Sequence, residues 1–456
     1  MARSAESVSA VVKAYDVRGV VGEQIDEDFV REVGASFARL IRSEKASDRV
    51  VVGHDMRESS PKLSQAFADG VTAQGLDVVL IGLASTDQLY FASGLLDAPG
   101  AMFTASHNPA AYNGIKLCRA GAKPVGQETG LAIISAELVD GVPEYEGDPG
   151  AVTTRNVLDD YASFLRGLVD LSQMRPLKVA VDAGNGMGGH TVPAVFGPLP
   201  IELVPLYFEL DGTFPNHEAN PLDPANLVDL QRLVVESGAD VGLAFDGDAD
   251  RCFVVDERGE PVTPSAVTAL VATRELAKEP GSTIIHNLIT SRIVPELVAE
   301  QGGVPLRTRV GHSFIKQQMA ETGAVFGGEH SAHYYFRDFW GADSGMLAAL
   351  HVLAALATHD GTLSDLMASY NRYAASGEIN STVNDAAERT EAVIAAFSDR
   401  AVSVDRLDGV TVDLPDRAWF NLRASNTEPL LRLNVEARTG DEVDALVKEI
   451  LAVVRA

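Results

Sequence analysis

Val241-Gly242-Leu243-Ala244-Phe245-Asp246-Gly247-Asp248-Ala249-Asp250-Arg251-Cys252-Phe253-Val254-Val255 sets the reading of the chain. Two apolar runs, each of a length that suits a buried strand, bracket a loop with acids at alternate positions. In an extended segment residues i, i+2 and i+4 point to one side, so Asp246, Asp248 and Asp250 are expected to converge on one hard cation. Acids at loop positions one, three and five, with Glu257 at position twelve, also fit a helix-loop-helix calcium site. Arg251 stands where that site needs glycine, and strands rather than helices flank the loop, so calcium is rejected. Magnesium fits better: it takes a few carboxylates and completes its shell with water or phosphate oxygen. A merely solvated acidic turn would crowd three like charges for no gain.

The same strand-then-turn rhythm recurs at Val50 to Gly53, Lys178 to Asp182 and Thr283 to His286, each followed by helical periodicity. The chain therefore reads as α/β. Continuous apolar runs such as Val78-Val79-Leu80-Ile81 suit sheets covered on both faces. The acidic, Gly- and Pro-bearing stretch 141–150 marks a first boundary, a second follows Val255, and the character changes again at 374–380. The last segment reads as a small α+β unit ending in a helix over 441–455. Gly184-Asn185-Gly186-Met187-Gly188-Gly189 formally matches a dinucleotide fingerprint. Pro193 and Gly197 leave too short a helix for it, and the stretch is read as a tight strand-to-helix turn.

A length of 456 residues gives room for several domains with their own cores. Apolar residues at 46% and charged residues at 22% exclude wholesale disorder. The formal charge is 37 − 64 = −27, which opposes binding to nucleic acid or an anionic membrane. Local arginines still leave room for a small anionic ligand. Cys118 and Cys252 are too few for a disulfide framework, no stretch is long and apolar enough to span a bilayer, and a cytoplasmic protein is expected.

Three further constellations carry chemistry. Thr104-Ala105-Ser106-His107-Asn108-Pro109 follows the apolar Ala101-Met102-Phe103, and Pro109 stops a helix from running through. Ser106 is expected on a fixed, exposed turn, with His107 and Lys116 able to activate its hydroxyl. An ordinary turn accounts for these letters equally well. Gly327-Gly328-Glu329-His330-Ser331-Ala332-His333 offers donors and acceptors for vicinal hydroxyls, although surface loops are polar anyway. Gly311-His312-Ser313 is similar in kind. Arg423-Ala424-Ser425-Asn426-Thr427-Glu428-Pro429 makes a donor-rich cradle for a dianionic phosphate, or a capped turn before a strand.

In this order, from Tyr15-Asp16-Val17-Arg18-Gly19 to Arg423, the constellations resemble the α-D-phosphohexomutase superfamily and its phosphomannomutase/phosphoglucomutase branch. The resemblance implies three similar mixed α/β domains and a smaller C-terminal α+β domain, heart-shaped around a central cleft. The limits expected are 1–148 with a phosphoserine loop, 149–255 with the metal loop, 256–372 with a sugar loop and 373–456 with a phosphate loop. Ser106 matches the phosphoryl-carrying serine. Asp246, Asp248 and Asp250 match magnesium ligands, completed by an oxygen on Ser106. Glu329 and Ser331 match residues that hold sugar hydroxyls, and Arg423, Ser425, Asn426 and Thr427 match the site of the non-reacting phosphate. Arg18, Lys116, Arg251, His312 and His333 match charged residues around the substrate, and Arg18 and Lys116 are implied in proton transfer.

The implied reaction interconverts hexose 1-phosphate and hexose 6-phosphate through a hexose 1,6-bisphosphate, which also serves as activator. The partner expected is a small phosphosugar, and the state a monomer or homodimer. Phosphoglucosamine mutase is the nearest alternative, and a magnesium-dependent sugar phosphatase a more distant one. Two departures stand out: relatives often carry glycine where Ala332 stands, and no lysine occurs in His286-Asn287-Leu288-Ile289, where some relatives place one.

Overall fold

The apolar run Val50-Val51-Val52 becomes the strand Arg49–His54, with parallel strands Asp77–Leu83 and Gly100–Phe103 on either side of it. The computed structural model describes residues 3–424 and 430–456. Beyond Gly100–Phe103 the sheet turns antiparallel, through Tyr112–Arg119 and then Val17–Val20. Helices Glu27–Ser43 and Ser60–Ala73 cover it. Asp26 starts the first by accepting from the Phe29 amide, and Pro61 sits in the first turn of the second. Phe29, Phe37, Phe67 and Phe103 are buried in this core, each worth about 2–3 kcal/mol.

A second sheet repeats the plan. Leu177–Asp182 lies between parallel Ile201–Leu206 and Val241–Phe245, and Cys252–Asp256 returns antiparallel beside the latter. In both sheets one loop leaves the carboxyl end of a parallel strand and comes back as an antiparallel neighbour. Those loops, 104–111 and 246–251, carry Ser106 and the three acids, where open α/β sheets place their ligands. The glycine-rich turn Gly184 to Gly189 opens the helix Gly188–Phe196, which has Pro193 inside it, as the short-helix reading expects. It supports the metal loop: the Met187 amide donates to Gly247 O at 2.9 Å, and a Cβ on Gly186 would stand 2.7 Å from that oxygen.

Two compact units emerge, Met1–Thr263 with Ser331–Ser364, and Pro264–His330 with Asp365–Ala456. They cut across the expected third domain. Within the first unit the physical reason is packing: Trp340 stacks on Phe164 at 5.2 Å, Ser344 Oγ donates to Asp87 Oδ2 at 2.6 Å, and Gly345 sits against the Arg251 backbone. In the second unit, Thr283–Asn287 is flanked by parallel Val304–Thr308 and Phe326–Gly328. An antiparallel sheet, ordered Ala374–Thr382, Leu430–Ala437, Trp419–Ala424, Val410–Asp413, Ser403–Asp405, is packed by helices Ala386–Phe397 and Gly440–Val454 through Val393, Phe397, Phe420 and Ile450. Among the described residues no helix is long and apolar enough to cross a membrane.

His286, buried on Thr283–Asn287, gives the second unit a pH dependence. Burial holds its pKa down at about 4, so the folded chain keeps it neutral while the unfolded chain protonates near 6.5. The unfolded state therefore binds the extra proton, and stability is lost as pH falls from about 6.5 to about 4, by about 3 kcal/mol in total. Denaturant unfolding across that range is expected to show this loss in the parent chain and a much flatter profile in His286→Gln.

Candidate active site

The three acids converge through a turn and not, as alternation suggests, along an extended strand. Ala249 adopts φ 58° and its amide donates to Asp246 O at 3.0 Å, which folds residues 246–250 back on themselves. One oxygen from each of Asp246, Asp248 and Asp250 lies within 4.8 Å of the others, and all three residues are buried. Asp248 Oδ1 and Asp250 Oδ1 have no hydrogen-bond partner among the described residues. Buried carboxylate oxygens left open in this way fit a hard divalent cation, so the donor set suits the metal that the resemblance implies.

The remaining oxygens are held by the protein. Lys116 Nζ donates to Asp248 Oδ2 at 2.7 Å and to Asp250 Oδ2 at 2.6 Å, and Arg251 Nε donates to Asp246 Oδ2 at 2.9 Å. Thr86, at the start of helix Thr86–Leu96, donates from Oγ1 to Asp248 Oδ2 at 2.6 Å and from its amide to Asp248 O at 3.0 Å. Burial, with smaller help from the neighbouring Asp250 and Asp248, raises the Asp246 carboxyl to about 7 despite Arg251. Burial also opposes the charge on Asp248, but the Lys116 ammonium outweighs it and holds that carboxyl below the usual range. Lys116 in turn loses to burial and gains more from Asp248 and Asp250, so it stays protonated.

Ser106 is on a fixed turn, but buried at 5% exposure where exposure was expected. The metal loop covers it so closely that a Cβ on Gly247 would stand 2.4 Å from Ser106 O. Its φ of 50° is in the left-handed region, which costs a residue with a side chain about 1 kcal/mol. Ser106 Oγ donates to Asp246 Oδ2 at 2.9 Å and lies 3.1 Å from His107 Nδ1. Arg251 Nη2 donates to that same Nδ1 at 2.7 Å and occupies its one lone pair. Burial, then Arg251 and Arg18, push His107 down to about 2, so it is a neutral acceptor and the serine proton points to Asp246. Arg18 donates to Asn108 Oδ1 at 2.6 Å and to Asp16 Oδ2 at 2.5 Å, beside the same loop.

His333 Nδ1 lies 3.0 Å from Asp343 Oδ2 and 4.0 Å from Asp250 Oδ1. Burial lowers its pKa, but the hydrogen bond to Asp343 and the nearby acids more than restore it. Ser331 is half-buried and precedes Ala332, whose φ of 65° is one that glycine adopts freely. In the second unit, Glu329 Oε1 accepts from the Gly311 amide at 3.2 Å and from Asn287 Nδ2 at 3.4 Å. Arg423 is the penultimate residue of the strand Trp419–Ala424 instead of lying in a loop, with Nη2 3.9 Å from Glu378 Oε2 and its Nε without a partner among the described residues. Ser425, Asn426 and Thr427, and the side chain of His312, lie outside the described residues.

Sequence reasoning missed Thr86 and Asp343. Thr86 reads as an ordinary helix start after Ser85, and nothing local ties it to an acid 162 residues away.

Models of the phosphoglucomutase/phosphomannomutase family match the chain in order: α/β/α domain I at 9–138, domain II at 159–259, domain III at 263–373 and the C-terminal domain at 378–453. The phosphomannomutase of Escherichia coli K12 is 41% identical over 436 residues, covering 93% of this chain and 94% of its own. The phosphohexose mutases of Xanthomonas campestris are 42% identical over 430 residues, with the same coverage of 93% and 94%. The crystal structure of a phosphoglucomutase/phosphomannomutase family protein from Burkholderia thailandensis superposes with a TM-score of 0.88 at 34% identity, over 100% of this chain and 98% of that one. A serine and three acids on matching loops of two like sheets, four ordered domain matches and relatives alike from end to end agree: the chain belongs to the phosphoglucomutase/phosphomannomutase family, a family of isomerases.

Proposed function

We propose that the enzyme interconverts hexose 1-phosphates and hexose 6-phosphates, mannose and glucose phosphates first among them, through a phosphoserine at residue 106 and a hexose 1,6-bisphosphate. The observation that carries the reading is Ser106 Oγ, 2.9 Å from Asp246 Oδ2, beside a triad with two open carboxylate oxygens. The phosphomannomutase and phosphohexose mutase names of relatives above 40% identity support the substrate class. Asp246, Asp248, Asp250 and an oxygen on Ser106 would hold magnesium, which when bound neutralises charge on the transferring phosphoryl group.

The chain's own part follows from its geometry. In the first transfer the sugar hydroxyl forms a bond to phosphorus as the bond from phosphorus to Ser106 Oγ breaks; the hydroxyl proton leaves the sugar and one returns to Oγ. Lys116, Arg18 and Arg251 supply positive charge around the serine loop, and the protonated Lys116 can donate but not accept a proton. His107, neutral and accepting from Arg251 at Nδ1, orients that guanidinium. Glu329, Ser331 and His333 are assigned to the sugar, and Arg423, Ser425, Asn426, Thr427 and His312 to the phosphate that does not react. The bisphosphate then turns end for end, and transfer back to Ser106 gives the isomer. The limits 1–148, 149–255, 256–372 and 373–456 remain the proposed domains, and the enzyme is read as cytoplasmic, a monomer or homodimer.

A coupled assay of mannose 1-phosphate, glucose 1-phosphate and glucosamine 1-phosphate, with catalytic glucose 1,6-bisphosphate, tests this reading. Isomerisation of the first two without free phosphate supports it. Preference for the third makes the enzyme a phosphoglucosamine mutase, and phosphate release matching substrate loss makes it a phosphatase.

A further inference from the structure

We infer that Arg57 is the positioning residue of the phosphoserine loop, holding Ser106 in its left-handed conformation by gripping the loop's carbonyls. The inference rests on the phosphoserine reading and deepens it. Arg57 follows the strand Arg49–His54 and is 1% exposed, and its carboxylate hydrogen-bond partner is Asp55, not an acid of the metal triad. Its guanidinium is spent on the loop backbone instead. Nη2 donates to Ser106 O at 3.0 Å and to Asn108 O at 2.7 Å, and Nη1 to Pro109 O at 2.9 Å and Tyr112 O at 3.0 Å. Nε donates to Asp55 Oδ2 at 3.2 Å.

Asp55 is the anchor of this clamp. It is fully buried; its Oδ1 accepts from the Arg57 amide at 3.0 Å and from Ser60 Oγ at 2.6 Å, and its own amide donates to Phe103 O at 2.9 Å. The anchor is thus tied to the strand from which the serine loop leaves. Phe214 lies against the guanidinium, 5.1 Å from ring centre to Cζ. A planar fork with several donors can grip four carbonyls at once, whereas an ammonium of the same charge cannot match that geometry. The loop needs such a grip because Ser106 sits at φ 50°, and a serine released from it would relax toward ordinary backbone angles and carry Oγ away from Asp246. Displacement of a reacting atom by about 1 Å can cost about 100-fold in rate.

A single-turnover experiment tests the assignment. Dephosphorylated wild type and Arg57→Lys, each with magnesium, are mixed with glucose 1,6-bisphosphate, and phosphate on Ser106 is followed by mass spectrometry, normalised to the folded fraction from circular dichroism. The variant is expected to phosphorylate about 100-fold more slowly per folded molecule, with kcat down in step and KM for glucose 1-phosphate little changed. Millimolar guanidinium is expected to recover part of the rate in Arg57→Ala. A residue that serves stability alone would lower the folded fraction and leave the rate per folded molecule at the wild-type value, and that result overturns the inference. If Arg57→Lys does not fold, Ser60→Ala, which removes the hydroxyl that donates to Asp55 at 2.6 Å and accepts from Asn113 Nδ2 at 2.9 Å, is expected to slow phosphorylation several-fold, and a wild-type rate there overturns it equally. Wild type that takes no phosphate on Ser106 brings down the phosphoserine reading itself, and the inference with it.

Discussion

Ser106→Ala is expected to lower mutase turnover by about 10,000-fold or more while leaving the fold in place. The size follows from the serine's role as carrier: without Oγ there is no atom to store the phosphoryl group between its two deliveries, and no neighbouring side chain substitutes. His107 is neutral and committed to Arg251, and the triad oxygens that Lys116, Arg251 and Thr86 leave open are those assigned to the cation. Alanine keeps the same strained φ and loses one hydrogen bond, to Asp246, a change of about 1 kcal/mol. Circular dichroism and thermal unfolding should therefore match wild type, so the lost activity reads directly on chemistry. Turnover within about tenfold of wild type would remove Ser106 from the reaction.

Asp248→Asn is expected to weaken divalent-cation binding by about 100-fold or more and turnover by about 1,000-fold. Asp248 combines both features of the site: one oxygen receives Lys116 and Thr86, and the other is open. The amide keeps the size but removes the charge, and its NH2 group meets a donor wherever it points at Lys116 or Thr86. The metal effect has its own readout. A cation that binds the folded state at about 100 times its dissociation constant adds about 2.7 kcal/mol to stability, so magnesium should raise the unfolding temperature of wild type clearly and of Asp248→Asn hardly at all. Equal shifts in both would remove Asp248 from the metal site.

The sequence made the α/β plan legible because it is written in short-range signals. Runs such as Val179-Ala180-Val181 and Val50-Val51-Val52 are too uniformly apolar for anything but strands buried on both faces, and they are interior strands of the two sheets. The acids at 246, 248 and 250 also announced themselves, although they meet through a turn at Ala249 that letter spacing does not reveal. What could not be read is what depends on the sheets lying together. Lys116 meets Asp248 across 132 positions, Arg251 meets His107 across 144, and Ser106 disappears beneath Gly247 only once both loops stand at their strand ends. Arg57 was illegible for a different reason. An arginine three residues before a serine-proline helix start looks like a surface charge, and only its backbone partners at 106, 108, 109 and 112 show otherwise.

Peptide mapping by mass spectrometry after brief exposure of the magnesium-loaded enzyme to glucose 1,6-bisphosphate bears most directly on the phosphoserine. The account predicts one phosphoryl group on the peptide that spans the strand end at Phe103 and the loop after it, located on Ser106, and its disappearance when excess glucose 1-phosphate is added. A phosphate found on any other residue, or none at all while hexose phosphates still isomerise, would contradict it.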